Sequence, residues 1–455
     1  MAEPLTPEWF RDELFKRLRT QRDEFDFYND YYTGNHPLPF VSKQARDEFR
    51  RIIAMTRSNV MGLVCDATAE RENLEGFQLG NNEAADRESW RIWEANGLDS
   101  DSDMAWLESL IGGRSYFLVA PNPQDANTPH VWVEHPSQCV VAYEPGTNRR
   151  VRKAGLKVWV DEWTAELHCT LYLLDAGRVW LFKYRADNPK AGGAPQWERR
   201  EVPGEAWPAD GRLNVLPLIE VPNNPRLLAG GISELHDVTD IQDRINKTLF
   251  DRMQTQEFGV DPQKWAKAFP TEDDQGNPNV VEFGRNRMIT TDIAETNFGN
   301  FAVAPLSPYL EAKREDVKDI ASRTRTPAQY LLGEMSNVNG ETLKASESGL
   351  VSKVKQRRKP HGLAAVEAMR LAHLIAGRTI APGAMSAMWN DPQYRTEGER
   401  TDAAIKRFQA GIVPLRQTRV DLGYSQTQIM DMEAADDVEL RPQVDDADSD
   451  APPAA

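Results

Sequence analysis

Between Thr6 and Phe40 apolar side chains return at helical spacing. Phe10, Leu14 and Leu18 step by four, and Phe25, Tyr28 and Tyr32 lie on one face further along. Thr6-Pro7 offers an N-cap and first-turn pair, Gly34 a stop, and Pro37 and Pro39 hold the chain out of helix. The same periodicity predicts helices over 45–60, 87–95 and 104–111, so the first 112 residues read as mostly helical. At Ser115 the pattern changes. The runs SYFLVA, HVWVEH, QCVVAYE, AGLKVWV, LHCTLYLL and RVWLFKY are short, β-branched and aromatic, with turn residues between them. They predict an antiparallel β region, reaching Val221, inserted between helical parts. Ten of the twelve tryptophans precede residue 210, which places much of the aromatic core there.

From Ile232 the helical period returns. Leu235, Val238, Ile241, Ile245, Leu249 and Met253 recur by threes and fours, a narrow apolar seam on a helix whose other faces are charged. Prolines, glycines and one strand-like run, NVVEF, interrupt the pattern over 258–305. A second amphipathic helix follows, with Ser307 expected as cap, Pro308 at the first position, and Leu310, Val317 and Ile320 as its seam. TRTPAQYLLG ends at Gly333, a small polar stretch EMSNVN intervenes, and a helix resumes near Asn339-Gly340 and runs to about Gly377. Leu343, Leu350 and Val354 share one face of it. Pro360 predicts a kink, beyond which Leu363, Val366, Met369 and Leu374 continue the apolar face. Two shorter helical stretches follow, TDAAIKRFQAG ending at Gly411 and 425–434. The closing DDVELRPQVDDADSDAPPAA has a disorder-prone composition. The fold class is α+β, mainly helical.

Composition narrows the chemistry. With 455 residues and 40% hydrophobic content the chain can bury a core in two to four domains. Cys65, Cys139 and Cys169 are scattered, which argues against a disulfide framework or a zinc site. The start MAEPLTPEWFRDELF has no apolar core of a signal peptide, and no run of apolar residues is long enough to span a membrane. Phosphate-cradling GxxxxGK[ST] and GxGxxG patterns and HExxH are absent, so no cofactor, metal or catalytic residue is expected. Asp99, Asp101 and Asp103 alternate as in a calcium loop, but Met104 and Leu110 stand where Gly and Glu are required. A solvated turn before a helix accounts for them. His168-Cys169 falls in a strand run and reads as structural. Acid pairs Glu234/Asp237 and Asp240/Asp243 could hold a metal for a nuclease, yet the same spacing is common on a solvated helix face near its N-terminus. The net charge of −16 opposes a tight grip on nucleic acid; it suits either simple solubility or a surface that DNA slides past. Against it stands a basic cluster, Lys344, Lys353, Lys355, Arg357, Arg358 and Lys359, which faces either phosphate or the acids of a neighbouring chain or domain.

Several stretches together resemble the portal proteins of tailed bacteriophages: YYTGNHPL; VPNNPRLLAGGISELHDVTDIQDRINKTLFD; and LSPYLEAKREDVKDIASRTRTPAQYLLG followed by NGETLKASESGLVSKVKQRR. The resemblance spans roughly residues 5 to 435, and its specificity lies in segment order more than in any one motif. It implies a wing over 1–231 (helical 1–112, β-rich 113–225), a first stem helix at 232–256, a clip at 257–306, and a second stem helix within 307–332. It further implies a tunnel loop at 333–340, a long kinked wing helix at 341–379, a crown at 380–435 and an acidic tail at 436–455. The implied channel loop residues are Glu334, Ser336, Asn337, Asn339 and Gly340. The implied assembly is a ring of about twelve subunits at the capsid portal vertex of the virion, put together in the host cytoplasm, with a heterologous interface closing it. Double-stranded DNA would pass through it during packaging and ejection. The terminase large subunit, a head–tail adaptor, and the major capsid and scaffolding proteins would meet it, and no membrane would. A metal-dependent nuclease of DNA packaging and another minor head protein are the competing readings.

Overall fold

The computed structural model describes residues 3–37, 53, 55–80, 86–147, 151–187, 193–200, 213–227, 230–260, 264–268, 272, 294–333, 340–393, 397–424 and 426–439. The expected helix over 45–60, the strand-like NVVEF, most of the loop 333–340 and the tail beyond Glu439 lie wholly or largely outside these residues.

Helix α1 (Pro7–Thr33) begins where the sequence places it. The Thr6 hydroxyl accepts from the Trp9 amide, and Gly34 closes the helix in the left-handed region at φ 82°. Its apolar face serves two cores. Leu14 and Leu18 pack on a β-sheet, whereas Phe25, Tyr28 and Tyr31 join a helical cluster. Helix α2 (Met61–Ala69) lies in that helical cluster.

The alternating runs all form strands, but in two sheets. Strands β4 (Cys139–Tyr143), β5 (Arg152–Val160), β6 (Glu166–Asp175), β7 (Arg178–Asp187) and β8 (Glu198–Arg200) make a five-stranded antiparallel meander. Strands β2 (Arg114–Ala120) and β3 (His130–Glu134) pair with each other, and β9 (Leu218–Pro222) adds to the other edge of β2. A further pairing spans most of the chain, β1 (Leu74–Leu79) with β12 (Met385–Trp389). The stretch expected to open a crown at 380 therefore first returns to the N-terminal body. Helices α3 (Arg87–Ala95) and α4 (Leu98–Gly112) pack Trp93 and Trp106 against Phe77 and Phe117 in the largest core. Helix α4 starts earlier than expected, after Gly97. Asp99, Asp101 and Asp103 therefore sit in its opening turns, where acids favour the dipole, and not in a turn before it.

The C-terminal half is helical. Helix α5 (Thr239–Val260) starts later than the seam suggests: turns carry 233–238, although Leu235 and Val238 are fully buried there. The hairpin β10 (Lys264–Lys267) and β11 (Asn297–Asn300) leads to helix α6 (Ser307–Thr324). The cap position of α6 is Leu306 and no side chain caps it, so Ser307 is already helical and Pro308 occupies the first turn. Arg325, at φ 54°, ends α6 before Pro327, and a short α7 (Ala328–Leu332) follows. Helix α8 (Gly340–Ile375) continues through Pro360. Its residues Ala365, Ala368, Met369 and Ala372 enter the main core, while Leu363, expected on the same face, is 69% exposed. Helices α9 (Glu397–Gln409), α10 (Leu415–Leu422) and α11 (Gln426–Glu439) complete the chain; α10 was not read from the sequence.

Candidate functional site

Helices α5 and α6 run antiparallel. Arg244 reaches Asp316 at 2.7 Å and Asp319 at 3.5 Å, while further along the pair Thr255 and Tyr309 share a hydrogen bond of 3.1 Å between hydroxyls. Leu235, Val238, Ile241, Ile245 and Leu249 are buried with Val317 and Ile320 against Phe25, Tyr31, Met61 and Val64. This burial stops half-way along the pair. No residue of α5 beyond Phe250 is buried, and none of α6 before Val317. The reason is coverage: α1 and α2 pack only on the half nearest the body. Leu310 was expected in the packed seam, but it falls in the uncovered half and is 47% exposed. Phe258, Val260, Phe301 and Val303 stand exposed at the same end, beside the β10–β11 hairpin. Large apolar side chains gathered at one end of a helix pair and left in water are the kind of surface that proteins use for contact with partners.

The covered half is locked by polar contacts that local sequence reading missed. Gln242 and Asn246, one turn apart on the apolar face, bind the backbone of 58–60: the Gln242 amide donates to the Ser58 carbonyl and accepts from the Val60 amide, and Asn246 accepts from the Ser58 amide at 3.0 Å. The Asn246 amide also meets His36 Nε2, whose ring stacks on Tyr31. Burial lowers the His36 pKa, which favours the neutral ring. The Tyr31 hydroxyl donates to Asp243 at 3.0 Å. Thus YYTGNHP and α5 meet directly, and Asp243 is engaged in packing. The signal was present in sequence as two amides interrupting an apolar seam.

The basic cluster divides. Glu234, buried and placed just ahead of α5, accepts from Arg357 Nε at 2.5 Å and from the Asn223 amide at 3.0 Å, with Lys353 Nζ at 3.7 Å. Burial alone would raise its carboxyl; Lys353 and Arg357 outweigh that and hold it below its ordinary value. Arg358 donates to the carbonyls of Arg71 and Asn390 and lies over the Trp389 ring at 5.3 Å. Burial pushes its pKa down to about 10. Lys353, Arg357 and Arg358 therefore correct the expectation of an outward basic face: they tie the long helix α8 to its own chain. Lys355 and Lys359 stay exposed. Lys344 lies within α8, with its side chain outside the described residues, as are Glu334, Ser336, Asn337 and Asn339. Gly333, at φ 65°, ends α7 on one side of that loop and Gly340 opens α8 on the other.

Among the described residues no helix is long and apolar enough to cross a membrane. The model of the family described as phage portal protein, SPP1 Gp6-like, matches residues 11–422. The chain is 28% identical to the portal protein of Mycobacterium phage L5, covering 96% of this chain and 90% of that one. It is also 28% identical to the portal protein of Mycobacterium phage D29, covering 94% and 88%. The pair α5 and α6, with its buried residues confined to one half, sits within a match of nearly full length, and the chain belongs to the phage portal protein family.

Proposed function

We propose that this chain is the ring-forming subunit of a DNA conduit at the capsid vertex, non-enzymatic, through which the genome is packaged and ejected. The observation that carries the reading is the α5–α6 pair, whose outer half and hairpin end expose Phe258, Val260, Phe301, Val303 and Leu310. Covering such side chains contributes about 1.5–3 kcal/mol each, and a ring supplies the cover by placing one copy's patch on a different patch of the next. In this reading α5 and α6 are the stem and the β10–β11 end is the clip that meets the terminase and later the adaptor. The body from α1 to β9 with β12 and α8 is the wing, α9 to α11 form the crown, and the segment between Gly333 and Gly340 is the channel loop. The net charge of −16 suits a wall that must not hold phosphate.

Negative-stain images of the purified protein test this: rings with a central channel are expected, and monomers under every condition would overturn it. The nuclease alternative predicts DNA cleavage with Mg²⁺ or Mn²⁺. The proposed conduit leaves DNA intact, since Glu234 and Asp243 are already engaged within the fold. Another minor head protein would give neither ring nor channel.

A further inference from the structure

The turn between β5 and β6 reads DEWTAE. It holds Trp163, which is 96% exposed, and no other large apolar side chain among the described residues is so bare. The shape of the turn is fixed. The Asp161 carboxylate accepts from the amides of Trp163 at 2.8 Å and Thr164 at 3.3 Å, and Ala165 stands at φ 57°, where glycine is the usual choice. An ordered backbone thus holds the indole out in water. The turn carries three acids, Asp161, Glu162 and Glu166, and no cation. Asp161 and Glu166 face His168 and Arg185 of the strands, at 3.8 and 3.9 Å. Glu162, exposed beside Trp163, is the acid left over.

The complementary chemistry lies between α8 and β12. A groove of about 470 Å³ there is walled by Leu363, Val366, Met385 and Trp389 and rimmed by Lys355 and Lys359. Arg358 also lines it, and no acid does. Lys355, Lys359 and Leu363 follow at intervals of four, so two charges and then an apolar side chain run along one exposed stripe of α8. Like charges one turn apart repel, and neither lysine is joined to an acid among the described residues. An acid next to an indole matches that stripe in sign and in order. Trp163 is bare, so the groove does not hold the turn of its own chain. We propose that the turn 161–166 of one copy seats in the α8–β12 groove of the next, with Trp163 against Leu363 and Trp389, and Glu162 on Lys355 and Lys359. The inference rests on the ring reading above. Turn and groove are different surfaces, so the contact is head to tail, the kind that closes rings. A tryptophan in a pocket edged by charge is a common anchor of such contacts.

Cross-linking between full chains tests it. Heavy-nitrogen-labelled and unlabelled chains are mixed, assembled and joined by a carbodiimide, which links carboxylates to nearby amines. Peptides joining Glu162 to Lys355 or Lys359 should appear with one label from each copy. Trp163→Ala should raise the chain concentration at half-assembly about thirtyfold. Glu162→Lys and Lys359→Glu should each raise it about two- to fivefold, and the two together should regain much of the loss. All three side chains are exposed, so the urea midpoint of the single chain should not move. Rings that form without these links, and with an unchanged half-assembly point for Trp163→Ala, overturn this contact and leave the ring reading standing. Links from Glu162 to other lysines of the neighbour, or links of one label only, place the turn elsewhere and overturn it too. Failure of the unaltered chain to assemble overturns the ring reading, and this contact with it.

Discussion

Glu234 shows what local spacing conceals. With Asp237 it has the look of an acid pair on a solvated helix face, yet it sits ahead of the helix, its amide bonded to the Leu110 carbonyl and its carboxylate buried on Lys353 and Arg357. Its partners lie more than a hundred residues away, and no periodicity reports such a distance. Removing one member of a buried ion pair leaves the others uncompensated. Glu234→Gln should therefore cost about 3–5 kcal/mol, read as a lower denaturation midpoint in urea. The pH dependence has a definite sign. A carboxyl held below its ordinary value stabilises the fold above the unfolded pKa, and that contribution disappears as pH falls through the lower folded value. The unaltered chain should lose stability on acidification below about pH 4.3, and Glu234→Gln should show a shallower acid loss. Parallel acid profiles of the two proteins would contradict the assignment.

At the scale of elements, much of the fold was legible. The helix of Phe10, Leu14 and Leu18, the alternating strands and the two-helix seam all follow from period and punctuation, because each is decided by its own residues. Three features were hidden for a physical reason. Strand β1 finds β12 across three hundred residues, Leu235 and Val238 are buried in turns before a helix, and Leu310 shares a spacing with Val317 but not its cover. Spacing tells which side chains share a face, not how far the covering element extends. The two halves of the α5–α6 pair should accordingly answer differently to substitution. Ile245→Ala, in the covered half, opens a cavity and should cost about 2–5 kcal/mol. Leu310→Ser should leave the denaturation of the single chain within about 0.5 kcal/mol and weaken self-association, seen as a shift toward monomer in light scattering. If Leu310→Ser associates like the unaltered chain, the exposed half of the pair is not an interface.

At the scale of the whole molecule the argument turns on charge. The chain carries a surplus of acids, and three of its clustered cations are turned inward onto Glu234 and backbone carbonyls. The run SKVKQRRK thus contributes less to an outward basic surface than its composition suggests. The stretch between Gly333 and Gly340 repeats the theme with one acid, two amides and one hydroxyl. In the proposed channel such a loop would touch DNA in every subunit, each contact weak and none binding a phosphate tightly. Replacing Asn337 and Asn339 by Lys reverses that property without altering a described side chain. Ring formation should persist, since the exposed apolar end and the body are unchanged. Packaging should slow, because each added phosphate contact releases counterions and steepens the salt dependence of DNA binding by about 0.9 in log–log slope. Raising the salt should therefore restore part of the rate in a packaging assay, whereas a folding defect would not respond in that way. Packaging at the normal rate with an unchanged salt slope would show that the loop acts by shape alone, and that the polar character of EMSNVN is unrelated to sliding.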